Sequence, residues 1–206
     1  MARSKLVLVA PTTVNRTVAP RRPKNAILRT REHLTDREVE QLVAAVGDNR
    51  HGHRDALMVL LAYRHGLRAA EVVDLRWEQI DFKTASLHVR RVKNGTPSTH
   101  PLTGRELREL RRHERESAKS PFIFVSERGA PLSPPGFSRM IERAAAVAKL
   151  GIKAHAHMLR HACGYKLAND GVDTRSLQAY LGHRNIQNTT RYTALAPDRF
   201  KGFFRD

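Results

Sequence analysis

Capping boxes and glycine stops cut most of this 206-residue chain into short helices. In Thr35-Asp-Arg-Glu38 the threonine hydroxyl and the glutamate carboxylate can each satisfy a backbone N–H that a first helical turn leaves open. That predicts a helix from about residue 35 to Gly47. Leu57, Leu60 and Leu61 share one face of a helix over 53–65 that Gly66 stops, and Ala69 to Leu75 forms a further short one. Thr103-Gly-Arg-Glu106 repeats the capping box ahead of a very basic helix to about Ala118. Ser133 with Pro134 opens another, which turns Phe137, Met140, Ile141 and Ala144 inward and closes by Gly151. Helices over 156–169 and 173–181 follow, each ended by a glycine. The exception is the alternation of Leu87 and Val89, which leads into a hairpin signal, Lys93-Asn-Gly-Thr96, and a second short strand to about Leu102. Phe122-Ile-Phe-Val125 is a further buried strand candidate. The expected fold is mainly α with a small antiparallel β-hairpin or sheet, in one domain over 34–206.

Charge narrows the partners. Lysine and arginine number 37 against 20 acids, a formal +17 that favours a polyanion, nucleic acid first. A hydrophobic content of 40%, arranged in periodic runs, argues against a charged disordered chain. Residues 1–33 carry Arg3, Lys5, Arg16, Arg21, Arg22, Lys24, Arg29 and Arg31 before the first acid, Glu32, and read as a basic, flexible arm. The arm either lies on DNA or is a solvated tail, and both readings stay open. The single Cys163 allows no internal disulfide and no cysteine zinc cluster, which fits a reducing interior. Leu6–Ala10 is too short for a signal-peptide core, and no run approaches a membrane span. A cytosolic protein facing DNA or RNA is expected.

Several polar residues have spacings that suit phosphate chemistry. His157, Arg160 and His161 sit three and four apart, on one helical face. His157 and His161 also have the spacing of a zinc pair, but the hydrolytic zinc motif needs a glutamate where Met158 stands and no third ligand is evident beyond His155, so no metal is expected. Arg160 fits either a buried ion pair with Asp170 or Glu142, or a two-pronged contact to a phosphate. His161 suits a supporting role, satisfying buried polar groups and orienting its neighbours. Arg68 follows a helix-stopping glycine at the start of another helix, where open N–H groups help hold an anion, and Glu71 can fix its direction. Lys93, at the hairpin tip, would ordinarily be a solubilising lysine. Among cations it becomes a candidate acid for a leaving oxygen, with Arg90 and Arg91 set aside as nearby decoys. His183, after Gly182, can cap a helix or bond a phosphate. Tyr192 lies in a polar stretch where a tyrosine is not obviously core, and its phenol becomes a nucleophile only beside cations and a base. Together these groups could break a phosphodiester without a metal.

In this order and spacing, His65-Gly-Leu-Arg68-Ala-Ala-Glu71, Arg91-Val-Lys93-Asn-Gly, His157-Met-Leu-Arg160-His161, Leu181-Gly-His183 and Tyr192 closely resemble the tyrosine recombinases of the phage-integrase family. The resemblance covers about residues 34–206, and the run from Ala154 to Thr193 is especially similar to the small invertases that flip fimbrial promoter segments in bacteria. It implies that Arg68 and Arg160 grip the scissile phosphate while Tyr192 attacks it, leaving a 3′-phosphotyrosine and a free 5′-hydroxyl. It further implies Lys93 as acid for that hydroxyl, His157 as acid–base partner, His183 as a further bond to the phosphate, and Glu71 and His161 as supporting residues. Energy kept in the intermediate makes ATP, metal and cofactor unnecessary. The implied partner is double-stranded DNA, bound by a homotetramer on two sites in the bacterial cytoplasm, associated with the nucleoid and with no membrane contact. The outcome is inversion or integration; the alternatives are a DNA-binding regulator of the same fold that does not recombine, and a relaxing topoisomerase. The chain departs from most members in having only a basic segment of about 33 residues where a helical DNA-clamping domain usually precedes the catalytic one. Phe200, Phe203 and Phe204 form a tail that packs on a neighbouring subunit or folds back.

Overall fold

The computed structural model describes residues 31–92 and 94–194. The basic arm as far as Thr30, Lys93 and the tail with its three phenylalanines lie outside the described residues. The described residues from Glu32 onward belong to one compact unit.

Within this unit the capping boxes act as expected. Thr35 accepts the backbone N–H of Glu38 at 3.3 Å and Glu38 returns the bond to Thr35 N at 2.8 Å, opening α1 (Asp36–Gly47). Next come α2 (Gly52–Arg64), α3 (Ala69–Val73), a single 3-10 turn at Trp77–Gln79, and the strands β1 (Ile80–Asp81), β2 (Ser86–Val89) and β3 (Ser98–Pro101). The second box, Thr103 with Glu106, opens α4 (Gly104–Glu116), and Ser133 caps α5 (Pro134–Val147). The chain then runs through α6 (Ala156–Asn169), α7 (Thr174–Leu181) and α8 (Gln187–Ala194).

The sheet is antiparallel in the order β1-β2-β3, with Leu87 opposite Ile80 on one side and His100 on the other. It therefore has one strand more than the hairpin expected from sequence. The segment Phe122–Val125 differs from expectation. It makes only isolated bridges, Arg76 to Phe122 and Val125 to Pro131. Ile123 and Phe124 are both fully buried, so consecutive side chains enter the core and the pleat that a ladder requires is absent.

The main core lies where α2 meets α1, α4 and α6, with α5 closing it from the side of α1 and α3. Leu42, Leu57, Met58, Leu61, Phe124, Ile141 and Leu159 are at most 2% exposed. A smaller cluster of Cys163, Ala168, Leu177, Leu181 and Tyr192 joins α6, α7 and α8. The apparently polar Asn188–Thr193 stretch is thus a helix, docked by Thr189 and Tyr192 at i, i+3 spacing. No helix among the described residues is long and apolar enough to cross a membrane.

Candidate active site

Five segments of the chain meet at one polar locus. Arg68 is the residue before α3, extended in backbone, and the Glu71 carboxylate one turn on accepts both its backbone N–H (2.9 Å) and its guanidinium (2.7 Å). Glu71 is buried, and it also accepts Arg91 Nη1 at 2.9 Å and the Val92 backbone N–H at 3.2 Å. Burial alone would raise its carboxyl, but the Arg68 bond and the Arg91 charge outweigh it and hold the group below the usual carboxylate range.

Arg160 projects from the middle of α6, with its side chain only 1% exposed. Neither Asp170 nor Glu142 is its partner. It donates to the backbone carbonyls of Gly66 and, at 2.6 Å, Leu181, and its nearest carboxylate is Glu71 at 4.0 Å. Gly66 permits this approach because it takes a left-handed φ of +56°, and a Cβ there would meet Leu181 Cδ2 at 2.5 Å. Burial, and then Arg68 and Arg91, lower the Arg160 guanidinium to about 10, so it stays charged at neutral pH. Arg68, Arg91 and Arg160 face the single carboxylate of Glu71, which leaves a formal excess of two positive charges in a largely desolvated site. Such an excess favours an anion at this locus.

The three histidines are neutral at pH 7. Loss of solvent around the ring, then Arg160, hold His157 at about 4, although the residue as a whole remains exposed. The same order of causes places half-buried His183 at about 4, and burial with His157 places His161 at about 3. His183 leaves the α7 terminus through Gly182, which is left-handed at φ +67°, and bonds Thr189 Oγ1 at 2.9 Å through its Nδ1. His157 stands edge-on to His161, with ring centres 4.5 Å apart.

Tyr192, from α8, is 1% exposed and belongs to the smaller core cluster, which its polar sequence neighbours did not suggest. Its ring lies parallel to His183, stands edge-on to Tyr165, and rests on Gly164. Its hydroxyl shares a 2.8 Å hydrogen bond with His161 Nδ1. Burial outweighs the neighbouring Arg160 and Arg191 charges and pushes the phenol up to about 12, so it needs a proton acceptor to react.

The structure therefore brings together Arg68, Glu71, His157, Arg160, His161, His183 and Tyr192, while Lys93 lies outside the described residues. Sequence reasoning passed over Arg91. A signal was present: burial alternates from Leu87 through Val89, so a strand period puts Arg91 on the inner face and Arg90 outside, where it pairs with Glu78. Among the described residues no group of three His, Cys, Asp or Glu side chains is placed to hold a metal ion.

A glycine carbonyl shared by two buried arginines lies beside a buried phenol and three histidines on a helical scaffold. The chain belongs to the phage integrase family, which it matches over residues 32–199. It is 43% identical over 180 residues to the type 1 fimbriae regulatory protein FimE of Escherichia coli K12, across 84% of this chain and 91% of FimE. It is 34% identical over 172 residues to the tyrosine recombinase XerA of Pyrococcus furiosus, across 82% of this chain and 59% of XerA. Among solved structures, the crystal structure of XerA recombinase shares the fold with a TM-score of 0.71 at 23% identity, covering 82% of this chain and 62% of that one. The chain thus spans about three fifths of the XerA proteins it matches.

Proposed function

We propose that this chain is a site-specific DNA recombinase that cleaves and rejoins DNA through a 3′-phosphotyrosine, inverting or integrating a DNA segment. Its main support is the excess of buried guanidinium charge over Glu71, next to a phenol already hydrogen-bonded to a histidine. A phosphodiester carries one negative charge and its pentavalent transition state two, so a site with two surplus positive charges favours the transition state over the ground state.

On this reading Arg68 and Arg160 hold the non-bridging oxygens. Tyr192 Oη, held in place by its hydrogen bond to His161 Nδ1, attacks phosphorus while His157, as acid–base partner, takes up its proton. The bond from phosphorus to the 5′ oxygen breaks, and that oxygen takes a proton from Lys93. His183 adds a hydrogen bond to the phosphate. Attack of a 5′-hydroxyl from another strand reverses each step and restores the phenol. The number of phosphodiester bonds is unchanged.

DNA is the fitting substrate for a chain of formal charge +17 whose helix α4 exposes Arg105, Arg108, Arg111, Arg112 and Arg115. The assembly on this reading is a homotetramer on two sites, associated with the bacterial chromosome, with residues 1–33 as a basic arm preceding the catalytic domain at 34–206. The test is a nicked inverted-repeat site incubated with the protein. A detergent-stable protein–DNA adduct, absent for Tyr192→Phe, is expected. Footprinting without any adduct would mark the chain as a DNA-binding regulator instead.

A further inference from the structure

The Arg91 side chain is fully buried. Its guanidinium reaches Glu71 at 2.9 Å and the carbonyls of Gly66 and His65 at 3.3 Å each, and it donates to the Tyr180 carbonyl at 2.5 Å. Each contact leads to a different part of the site. Glu71 holds Arg68. The Gly66 carbonyl also accepts Arg160. Tyr180 precedes the Leu181 carbonyl that takes the other arm of Arg160, and then the Gly182 turn that presents His183.

The surroundings are built around this side chain. A Cβ on Gly182 would fall 2.7 Å from Arg91 Cγ and 2.7 Å from the Thr96 carbonyl. One on Gly95 would fall 2.7 Å from Arg91 Cβ and 2.9 Å from the Gly182 carbonyl. The Thr96 N–H also donates to Gly182 O, at 3.3 Å. Two glycines thus clear the space in which the far side of the hairpin and the His183 turn close around one arginine stem. Burying a guanidinium beside other guanidiniums is costly unless its donors are met, and here Glu71 and three backbone carbonyls meet them. A planar fork with several fixed donors suits the task of holding several carbonyls in register, which a lysine cannot do.

We infer that Arg91 is a positioning residue for the strand-transfer reaction: it sets Arg68, Arg160 and the His183 turn in one frame around the scissile phosphate. The inference rests on the recombinase reading above. The test is single-turnover adduct formation by wild type, Arg91→Lys and Gly95→Ala on nicked DNA, with the scissile group either a natural phosphate or an uncharged methylphosphonate. Gly95→Ala crowds the stem without removing the guanidinium, and it carries the test if Arg91→Lys does not fold. Misplacing the two phosphate-binding arginines by about 1 Å should slow Arg91→Lys about 100-fold on the natural phosphate. The loss should shrink to under about 10-fold on the methylphosphonate, which lacks the charge those arginines neutralise. Gly95→Ala should show the same contrast more weakly. A merely structural role would lower the reacting fraction equally on both substrates and leave the rate constant alone. Equal slowing on both substrates, or no slowing in either variant, overturns the assignment for Arg91 while leaving the reaction standing. A wild-type chain that forms no adduct overturns the reaction and the assignment together.

Discussion

Gly164→Ala tests how Tyr192 is seated. A Cβ at that position would lie 2.8 Å from Cε1 and Cζ of the tyrosine ring and 2.9 Å from Cε2. Carbon atoms pack at about 3.5–4.0 Å, so the ring must retreat by about 0.7 Å or α6 must bend away. The ring cannot retreat freely, because Tyr165 stands edge-on to it at 5.1 Å between ring centres and its hydroxyl is bonded to His161. Overpacking of this kind costs about 1–3 kcal/mol. Loss of the hydroxyl bond to His161 adds about 1 kcal/mol. The higher helix propensity of alanine returns about 1 kcal/mol, so the net destabilisation is about 1–3 kcal/mol. At about 2–4 °C per kcal/mol for a domain of this size, Tm should fall by several degrees. The larger effect falls on the chemistry: a phenol displaced by this much should form its adduct about 100-fold more slowly. The assay pairs thermal unfolding with single-turnover cleavage of nicked DNA, and DNA affinity should stay at the wild-type level. Wild-type cleavage within about threefold, with Tm unchanged, would refute the argument that Gly164 is the seat of the reacting ring.

Stability should fall with acid. His100 and His161 are buried with imidazoles held at about 3, far below their ordinary 6.5, so the unfolded chain takes up their protons first. Stability is then complete above pH 6.5 and drains as pH falls toward 3, by roughly 2 kcal/mol for each histidine between pH 7 and pH 5. Glu106, held at about 2 against 4.5 when unfolded, acts in the same direction at lower pH, contributing above 4.5 and losing that contribution below it. Denaturant midpoints at pH 7, 6 and 5 check this, and a flat series would contradict it. DNA binding should weaken steeply with salt, the log–log slope growing by about 0.9 for each phosphate neutralised. A slope near zero would mean that the exposed arginines of α4 and the rest of the basic surface face away from DNA.

The sequence revealed local structure wherever a residue's role depends on near neighbours. The Thr35 and Thr103 capping boxes close within four residues, and His157, Arg160 and His161 converge through a single helical turn, so both were legible. What was missed depends on distant partners. Arg91 bonds groups 20 to 89 residues away, and beside Arg90 it looked like one of two surface cations. Only the alternation of Leu87 and Val89, extended by two residues, separates an inward Arg91 from an outward Arg90. Helix α8 buries only Thr189 and Tyr192 among its eight residues, too few to declare a helical period. The fate of Tyr192 shows the same limit: its burial comes from Gly164 and Tyr165 on another helix, and no local pattern marks that. Phe122–Val125 looked like a strand by composition, but its backbone bonds go elsewhere, Ile123 N–H to the Leu75 carbonyl and Ile123 O to His113.

The most direct test of the account is chemical identification of the covalent bond. Wild-type protein is reacted with nicked DNA under denaturing quench, digested, and the nucleotide-bearing peptide sequenced by mass spectrometry. The account predicts one modified residue, Tyr192, carrying the 3′-phosphate of the cleaved strand, with a free 5′-hydroxyl on the released fragment. A linkage to another side chain, or to a 5′-phosphate, would contradict it.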